Sequence, residues 1–243
     1  MSFDISPLLE QWDYQPGKLA VRKITGKDGT EKIQLRVDLG VLQLNVIGRP
    51  DGRRPFGHPT LIEHFQAQRS RQGDAFKLAA EDCAKLHQEL IQFHHRYLCL
   101  FQLGDFEAVL RDTERNLRAM EFAAEHAESP EFVEPLKQFL PQLLMLQTRA
   151  RGTIALEADN QARALEAIEG GREALRTFYR EQGQPEAAAH SSEIQSLEAW
   201  LEEVTTRRPV SEREKLEQAL AEAVAREDFE KAARVRDALR QLK

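Results

Sequence analysis

Residues 83–100 read CAKLHQELIQFHHRYLCL, and the pattern of this stretch decides the fold of most of the chain. Its apolar residues recur at steps of three and four positions, which is the spacing of one face of an α-helix. The pattern predicts one long helix that begins near Asp74 and buries Phe93 in a core. The apolar face consists of Cys83, Leu86, Leu90, Phe93, Tyr97 and Leu100.

The helical pattern is interrupted at residues 103–107, LGDFE, and then resumes to about Ala127. This second helix can cover the first with the stripe Phe106, Leu110, Leu117 and Met120. Pro141 is placed to open a later helix, because proline is tolerated in a first helical turn. Residues 60–204 are therefore expected to form a body of antiparallel helical hairpins. Its last helix is marked by Ile194, Leu197, Leu201 and Val204.

The residues before this body alternate between apolar and polar side chains, as half-buried β-strands do. The alternation runs from residue 19 to residue 47, and the turn-forming sequence GKDG interrupts it at residues 26–29. We predict a small antiparallel β-meander of three strands whose apolar face is covered by the later helices. Residues 48–59, GRPDGRRPFGHP, should form a structured loop that completes a β domain of residues 1–59.

The composition is that of a soluble globular protein, with 41% hydrophobic and 30% charged residues and a net charge of −6. No stretch approaches the roughly 18 apolar residues of a membrane helix, so no membrane partner is expected. The N-terminus lacks the basic start and apolar core of a secretory signal. The 2 cysteines are too few for a disulfide framework, and we therefore expect a cytoplasmic protein.

The sequence predicts no cofactor, no metal site and no catalytic residues. Cys83 and His87 are one helical turn apart and His94 follows, but zinc needs three or four converging ligands. The sequence also contains no nucleophile elbow, phosphate-binding loop or dinucleotide-binding glycine motif. An enzyme of unknown reaction stays an alternative, because a convergent pocket cannot be recognised from sequence.

Basic residues are concentrated near the N-terminus. Residues 1–73 carry a net charge of +3, whereas residues 74–210 carry −9. Because arginine binds carboxylate and phosphate groups in a bidentate manner, we predict an anionic ligand or a nucleic acid at this patch. The alternative is a solvated sheet face, which antiparallel sheets commonly have. The candidate ligand residues are Arg36, Arg49, Arg53 and Arg54, and Trp12 or Tyr14 would add a stacking surface.

The last segment, residues 211–243, reads SEREKLEQALAEAVAREDFEKAARVRDALRQLK and predicts two short helices joined by a tight turn. Ser211 and Glu214 have the spacing of a capping box, which marks the start of the first helix. Asp228 can cap the second helix. Residues 205–210, TTRRPV, are the predicted linker to this hairpin. The acid-first i,i+4 pairs are Glu227–Lys231 and Glu230–Arg234.

This segment resembles the UVR motif, a helical hairpin of the excision-repair proteins UvrB and UvrC and of some stress-response adaptor proteins. The resemblance rests on the apolar positions of both helices, on the run EDFE at residues 227–230 and on two adjacent alanines. It implies a module that docks on another such hairpin, and it implies no reaction. The implied partner-binding residues are Leu216, Leu220, Phe229, Ala233, Arg236 and Leu239.

Two further resemblances concern the rest of the chain. Residues 97–117 are similar to the turn of a tetratricopeptide repeat, with Gly104 and Phe106 at its small and aromatic positions. The only echo, near Asp159, is too distant for the usual spacing of about 34 residues, so a regular array is not expected. The order of the parts also resembles that of bacterial proteins that carry a UVR motif.

Together these patterns predict an α+β fold that is mostly α, with an N-terminal meander, a body of tetratricopeptide-like hairpins and a C-terminal UVR hairpin. The predicted function is a non-enzymatic adaptor that joins a protein partner, or a second copy of itself, through the tail. The resemblance links this role to DNA repair or stress response. The alternative is a nucleic-acid-associated repair factor that binds through the N-terminal arginines.

Overall fold

A computed structural model describes residues 4–206, 216, 219–221, 223–224 and 228–241. It confirms the predicted fold class, a mostly helical α+β protein with a small N-terminal antiparallel sheet, packed helix pairs and a C-terminal helical segment. Within these described ranges, no helix has both the length and the apolar character needed to cross a membrane. The chain divides into two compact units, Met1–Leu201 and Glu202–Lys243.

The first unit contains the sheet and the helical body. Its strands are β1 Ala20–Thr25, β2 Glu31–Val37 and β3 Gly40–Asn45. Its helices are α1 Ser6–Glu10, α2 Leu61–Gln72, α3 Ala80–Gln102, α4 Phe106–His126, α5 Glu134–Lys137, α6 Leu140–Glu157 and α7 Gln161–Glu181, and α8 Ser192–Thr206 begins in it. The second unit contains α9 Phe229–Gln241, and residues 216, 219–221 and 223–224 are also helical.

The sheet is a meander in the order β1-β2-β3, and both neighbouring pairs are antiparallel. The predicted turn joins β1 to β2, and in it the Gly26 N–H donates to the Thr30 carbonyl over 2.8 Å. Ile33 and Leu35 of β2 are 0% and 5% exposed and lie in the same core as the helical residues. The sheet and the helical body therefore share one core.

The N-terminal segment lies against part of the polar face of the sheet, at Arg22 and Arg36. The Trp12 ring lies 4.1 Å from the guanidinium carbon of Arg22, and the Trp12 carbonyl accepts a hydrogen bond of 2.8 Å from Arg36 Nε. Gln34 and Arg36 are each only 8% exposed. The alternative of a solvated sheet face is therefore wrong at these two residues, because Arg36 donates to the Trp12 carbonyl and Gln34 is hydrogen-bonded to Arg22 and Gln43 on the neighbouring strands.

Helix α3 buries the whole apolar face that the sequence predicts, and each residue of that face is at most 3% exposed. The helix begins at Ala80 rather than near Asp74. The Leu78 N–H donates to the His126 carbonyl over 2.8 Å, and the Glu128 N–H donates to the Leu78 carbonyl over 3.0 Å. This long-range backbone pairing holds Leu78 extended, so the predicted first turns of the helix do not form.

Helix α4 ends close to the predicted position, but its buried face differs from the predicted stripe. Of the four apolar residues in that stripe, only Met120 is buried. The buried face instead includes the polar residues Asp112, Thr113, Arg115 and Asn116. Asp112, Arg115 and Asn116 pair with groups on α3, and such pairing across elements leaves no periodic signal in the sequence of α4 itself.

Helices α6 and α7 approach each other closely at a glycine. A methyl group at Gly171 of α7 would lie 2.5 Å from Thr148 Cγ2 of α6 and closer still to its Oγ1. A methyl group at the neighbouring Gly170 would meet nothing within 4 Å. Gly171 therefore sets the spacing between the two helices.

Gly171→Ala is expected to lower the free energy of unfolding by about 1–3 kcal/mol, because the added methyl group must push Thr148 and α6 aside. Gly170→Ala is the matched control, since it makes the same change one residue away in open space. Alanine in a helix is more favourable than glycine by about 0.5–1 kcal/mol, so this control should be stabilised. Urea denaturation compares the two variants, and equal stabilities would show that the helices tolerate a wider spacing.

Candidate partner-binding hairpin and arginine loop

The C-terminal hairpin begins its second helix at the predicted cap. The Asp228 carboxylate accepts a hydrogen bond of 3.0 Å from the backbone N–H of Lys231, which satisfies a free donor at the start of α9. The Asp228 N–H donates to the Ala223 carbonyl over 2.9 Å and closes the turn. Glu230 and Arg234 form the predicted i,i+4 ion pair, at 2.7 Å. Ser211, Glu214 and Glu227, which the prediction also used, lie outside the described residues.

The larger apolar side chains of this hairpin are only partly covered. Val224 is 52% exposed, whereas the small Ala223 and Ala232 are 2% and 8% exposed. In the described part of this segment, Val224 is thus a bulky apolar side chain that is accessible to solvent, although the small Ala221 is exposed as well. Of the predicted partner-binding residues, Leu216, Leu220, Ala233 and Leu239 are half-buried, Arg236 is exposed, and the Phe229 side chain lies outside the described residues.

The four predicted anion-binding arginines differ in their surroundings. Arg49 has its Nε 3.3 Å from the Asp51 carboxylate and 3.2 Å from that of the buried Glu89. Arg36 is also turned towards the protein itself, and a role for either residue towards an external anion stays a prediction. The carbonyl oxygens that accept hydrogen bonds from Arg36 are those of Trp12, Val37, Asp38 and Gly40.

Arg53 and Arg54 are exposed in the loop between β3 and α2, and among the described residues neither side chain forms an ion pair. The neighbouring Asp51 is already engaged, because its Oδ1 accepts a hydrogen bond of 2.9 Å from the Arg53 backbone N–H and lies 3.3 Å from Arg49. Arg54 donates only a long hydrogen bond of 3.4 Å to the Gly57 carbonyl. These two guanidinium groups are therefore available to an anion.

Next to these arginines, Phe56 presents an aromatic ring to solvent. It is 66% exposed, and its φ of +51° is a left-handed conformation that residues other than glycine rarely adopt. The ring stacks on His64 of α2, with centroids 4.1 Å apart and planes inclined by 19°. Burial and the nearby His58 lower the pKa of His64, so this imidazole is neutral at neutral pH. Sequence analysis missed Phe56, although an aromatic residue in a Gly- and Pro-rich loop was an available signal.

A buried ion pair anchors the start of this loop to the helices. Arg96 of α3 is 1% exposed and makes hydrogen bonds of 2.6 and 2.8 Å to the carboxylate of Asp112 on α4. Its Nη1 group also donates to the carbonyls of Asn45 and Gly48, over 2.9 and 2.6 Å. One guanidinium group therefore joins α3, α4 and the end of β3.

A second buried carboxylate, that of Glu89 on α3, anchors the other end of the loop. Leu61 is the first residue of α2, and its N–H donates hydrogen bonds of 3.1 and 3.0 Å to the two oxygens of this carboxylate. The same carboxylate forms ion pairs with Arg49 and Arg115. Burial lowers the pKa of Arg115 to about 9, so its guanidinium stays protonated at neutral pH. The loop is therefore held at both ends by side chains of α3.

A groove of about 810 Å³ runs between α4, α6 and α7. Exposed charges on its rim include Glu114 and Arg151, which lie 3.3 Å apart and neutralise each other. The residues that line this groove also include the polar Gln147, Thr148 and Asn160. Its small and aliphatic lining residues include Leu110, Leu144, Ile154, Ala155, Ala158, Ala167, Gly170 and Ala174.

The histidine and cysteine side chains of α3 are not arranged as a metal site. Among the described residues, no three His, Cys, Asp or Glu side chains converge so that they could hold a metal ion. His94 is 8% exposed and lies 2.7 Å from the Tyr97 hydroxyl, and burial lowers its pKa to about 4. Cys83 is a free, buried thiol whose pKa is raised by burial. These groups contribute to the core of α3.

The structure is that of a mostly helical protein with a small N-terminal sheet and a C-terminal helical segment. A family model described as the UvrB/uvrC motif matches residues 211–243. The predicted resemblance to the UVR motif is thereby confirmed for this segment, and such motifs typically mediate protein–protein interaction in repair proteins. No curated protein and no solved structure was found to match the chain.

Proposed function

We propose that this protein is a non-enzymatic adaptor that holds a protein partner through its C-terminal UVR hairpin. The observation that carries the proposal is the match of residues 211–243 to the UVR motif, combined with the exposure of Val224 in that segment. Bulky apolar side chains in water favour association with another apolar surface. The proposed partner-binding residues are Leu216, Leu220, Phe229, Ala233, Arg236 and Leu239.

The length of the hairpin supports an association role. Chains below about 40 residues seldom bury enough apolar surface to be stable alone, and the matched segment is shorter than that. Its half-buried leucines therefore gain stability when another surface covers them. A second UVR hairpin, on another copy of this chain or on a partner, offers a complementary apolar stripe, and we propose it as the docking surface.

The helical body supports a role as a scaffold. The α3–α4 and α6–α7 pairs are joined by short turns, with Gly104 at φ +75° in the first, and we propose that they are tetratricopeptide-like hairpins. The groove between α4, α6 and α7 is lined by small and aliphatic residues together with polar ones, and its rim pair Glu114–Arg151 is neutralised, which supports binding of a peptide segment. The buried free thiols of Cys83 and Cys99 suit a reducing cytoplasm. We propose that the adaptor acts in DNA repair or in the stress response.

Leu220→Asp is expected to weaken self-association or partner capture by at least about tenfold, because a carboxylate must lose its water to enter an apolar contact. Ala221→Asp is the matched control, since it adds the same charge one residue away at an exposed position of the same helical segment. Analytical ultracentrifugation of the full chain measures self-association. Capture of a UVR-containing protein measures binding to a partner.

Circular dichroism separates a loss of binding from a loss of folding, because the helical body should keep its signal in both variants. If Leu220→Asp and Ala221→Asp associate equally well, the apolar stripe of the hairpin is not the contact surface. If the full chain stays monomeric and captures no UVR-containing protein even without substitutions, the adaptor role fails as a whole.

A further inference from the structure

The loop from Arg53 to His58 carries a pair of exposed arginines beside an exposed aromatic ring. Among the exposed large apolar side chains of the described residues, Phe56 is the one aromatic. Its left-handed backbone holds the ring in solvent rather than in the core. The loop lies far from residues 211–243 in the sequence, and the proposed adaptor role makes no use of it.

The Phe56 ring is already ordered for stacking. His64 supports it from one side at 4.1 Å, nearly parallel, and His58 meets His64 edge-on at 5.4 Å. A neutral imidazole below the ring adds an aromatic surface without repelling further groups. Because the loop is tied to α3 through Arg96 and Glu89, the ring needs little ordering when it receives a ligand.

The neighbouring charges are equally available. Arg49 is held by two carboxylates, whereas Arg53 and Arg54 form no ion pair among the described residues. Exposed guanidinium groups bind phosphate in a bidentate manner, and planar rings stack on nucleobases whatever their sequence. An acidic peptide would engage the arginines but would leave the ring unused.

We propose that Arg53, Arg54 and Phe56 form a binding site for a nucleotide unit, with the base stacked on Phe56 and the phosphate on the two arginines. The strongly acidic remainder of the chain repels a long phosphate backbone, so the site takes only a short stretch of single strand or a free nucleotide. Both sources present the same base and phosphate. The proposal is independent of the UVR hairpin.

Fluorescence anisotropy of the full chain with a labelled short oligothymidylate tests the site. Phe56→Ala should weaken binding by about fivefold to a hundredfold, because base stacking on an aromatic ring is lost. Phe56→Trp should retain binding. Leu39→Ala is the matched control, since it truncates another large apolar side chain, 87% exposed, at the β2–β3 turn.

The salt dependence of binding tests the role of the two arginines. Binding of a single strand through one phosphate should weaken with salt with a log–log slope of about −0.7, and Arg53→Ala with Arg54→Ala should remove most of that slope. Competition by adenosine monophosphate as strong as that by the unlabelled strand assigns the site to a free nucleotide, and weaker competition assigns it to a strand. Unchanged binding in Phe56→Ala, or equal displacement of the probe by polyglutamate, overturns the proposal.

Discussion

Asp112→Ala is expected to lower the free energy of unfolding by about 3–5 kcal/mol, because it leaves the Arg96 guanidinium buried without its counter-charge. Arg96 and Asp112 are each 1% exposed, and two hydrogen bonds of 2.6 and 2.8 Å join them. The loss should exceed that of a neutral hydrogen bond, since a buried charge cannot recover its hydration. Urea denaturation measures the change, and the slope of the free energy of unfolding against urea concentration should be the same in both proteins.

Glu114→Ala is the control for this prediction. Glu114 lies on the same helix and pairs with Arg151 at 3.3 Å, but both side chains are about half-exposed, at 51% and 50%. Exposed pairs contribute about 0–1 kcal/mol, so this variant should be nearly as stable as the parent. A loss of similar size in both variants would show that the Arg96–Asp112 pair is not buried as described.

Phe93→Ala is expected to cost about 3–5 kcal/mol of stability, because it opens a cavity in the face of α3 that packs on α4. Phe93 is 3% exposed. Its ring also lies between two cations, 4.7 Å from the Arg96 guanidinium carbon and 4.3 Å from that of Arg115. Desolvated cation–π contacts of this kind add about 2 kcal/mol, so the cost should fall at the upper end of the range.

Phe93→Leu separates the two contributions, since it keeps most of the volume and removes the aromatic face. It should cost less than Phe93→Ala but more than a volume-conserving exchange, which is usually below about 1.5 kcal/mol. Phe56→Ala, at a phenylalanine that is 66% exposed, should change stability by only about 0.5 kcal/mol. An unchanged denaturation midpoint in Phe93→Ala would contradict the packing of α3.

The Asp112 prediction bears on the proposed nucleotide site, because Arg96 holds the start of the loop of residues 48–59. Its hydrogen bonds to the Asn45 and Gly48 carbonyls fix where the chain leaves β3. Asp112→Ala should therefore also weaken oligothymidylate binding, although Asp112 is part of the fold and not of the site. If binding recovers under conditions that stabilise the fold, Asp112 acts by positioning the loop.

Local sequence patterns were sufficient to predict several secondary-structure elements. The 3.6-residue pattern of α3 is confirmed because six apolar side chains on one face have no other way to leave water. The cap at Asp228 and the pair Glu230–Arg234 are confirmed because both depend on residues within one helical turn. The turn between β1 and β2 is confirmed for the same reason. Each of these features depends on residues that are close together in the sequence.

The positions of the candidate sites needed the fold. Arg36 and Arg53 were both predicted to bind an anion, yet Arg36 donates to four carbonyls and Arg53 is exposed. The start of α3 shifted from Asp74 to Ala80 because Leu78 pairs with a strand-like segment after α4. No window of the sequence contains both partners of such contacts.

By itself, the sequence determined the fold class, the long apolar face of α3, the β-meander and the UVR hairpin, because apolar spacing and helix caps act over a few residues. Only the tertiary structure decided which arginines are free, that Phe56 rests on His64, and that Arg96 and Asp112 are buried together. The physical reason is that desolvation and ion pairing depend on distance in space, and these partners lie in different elements.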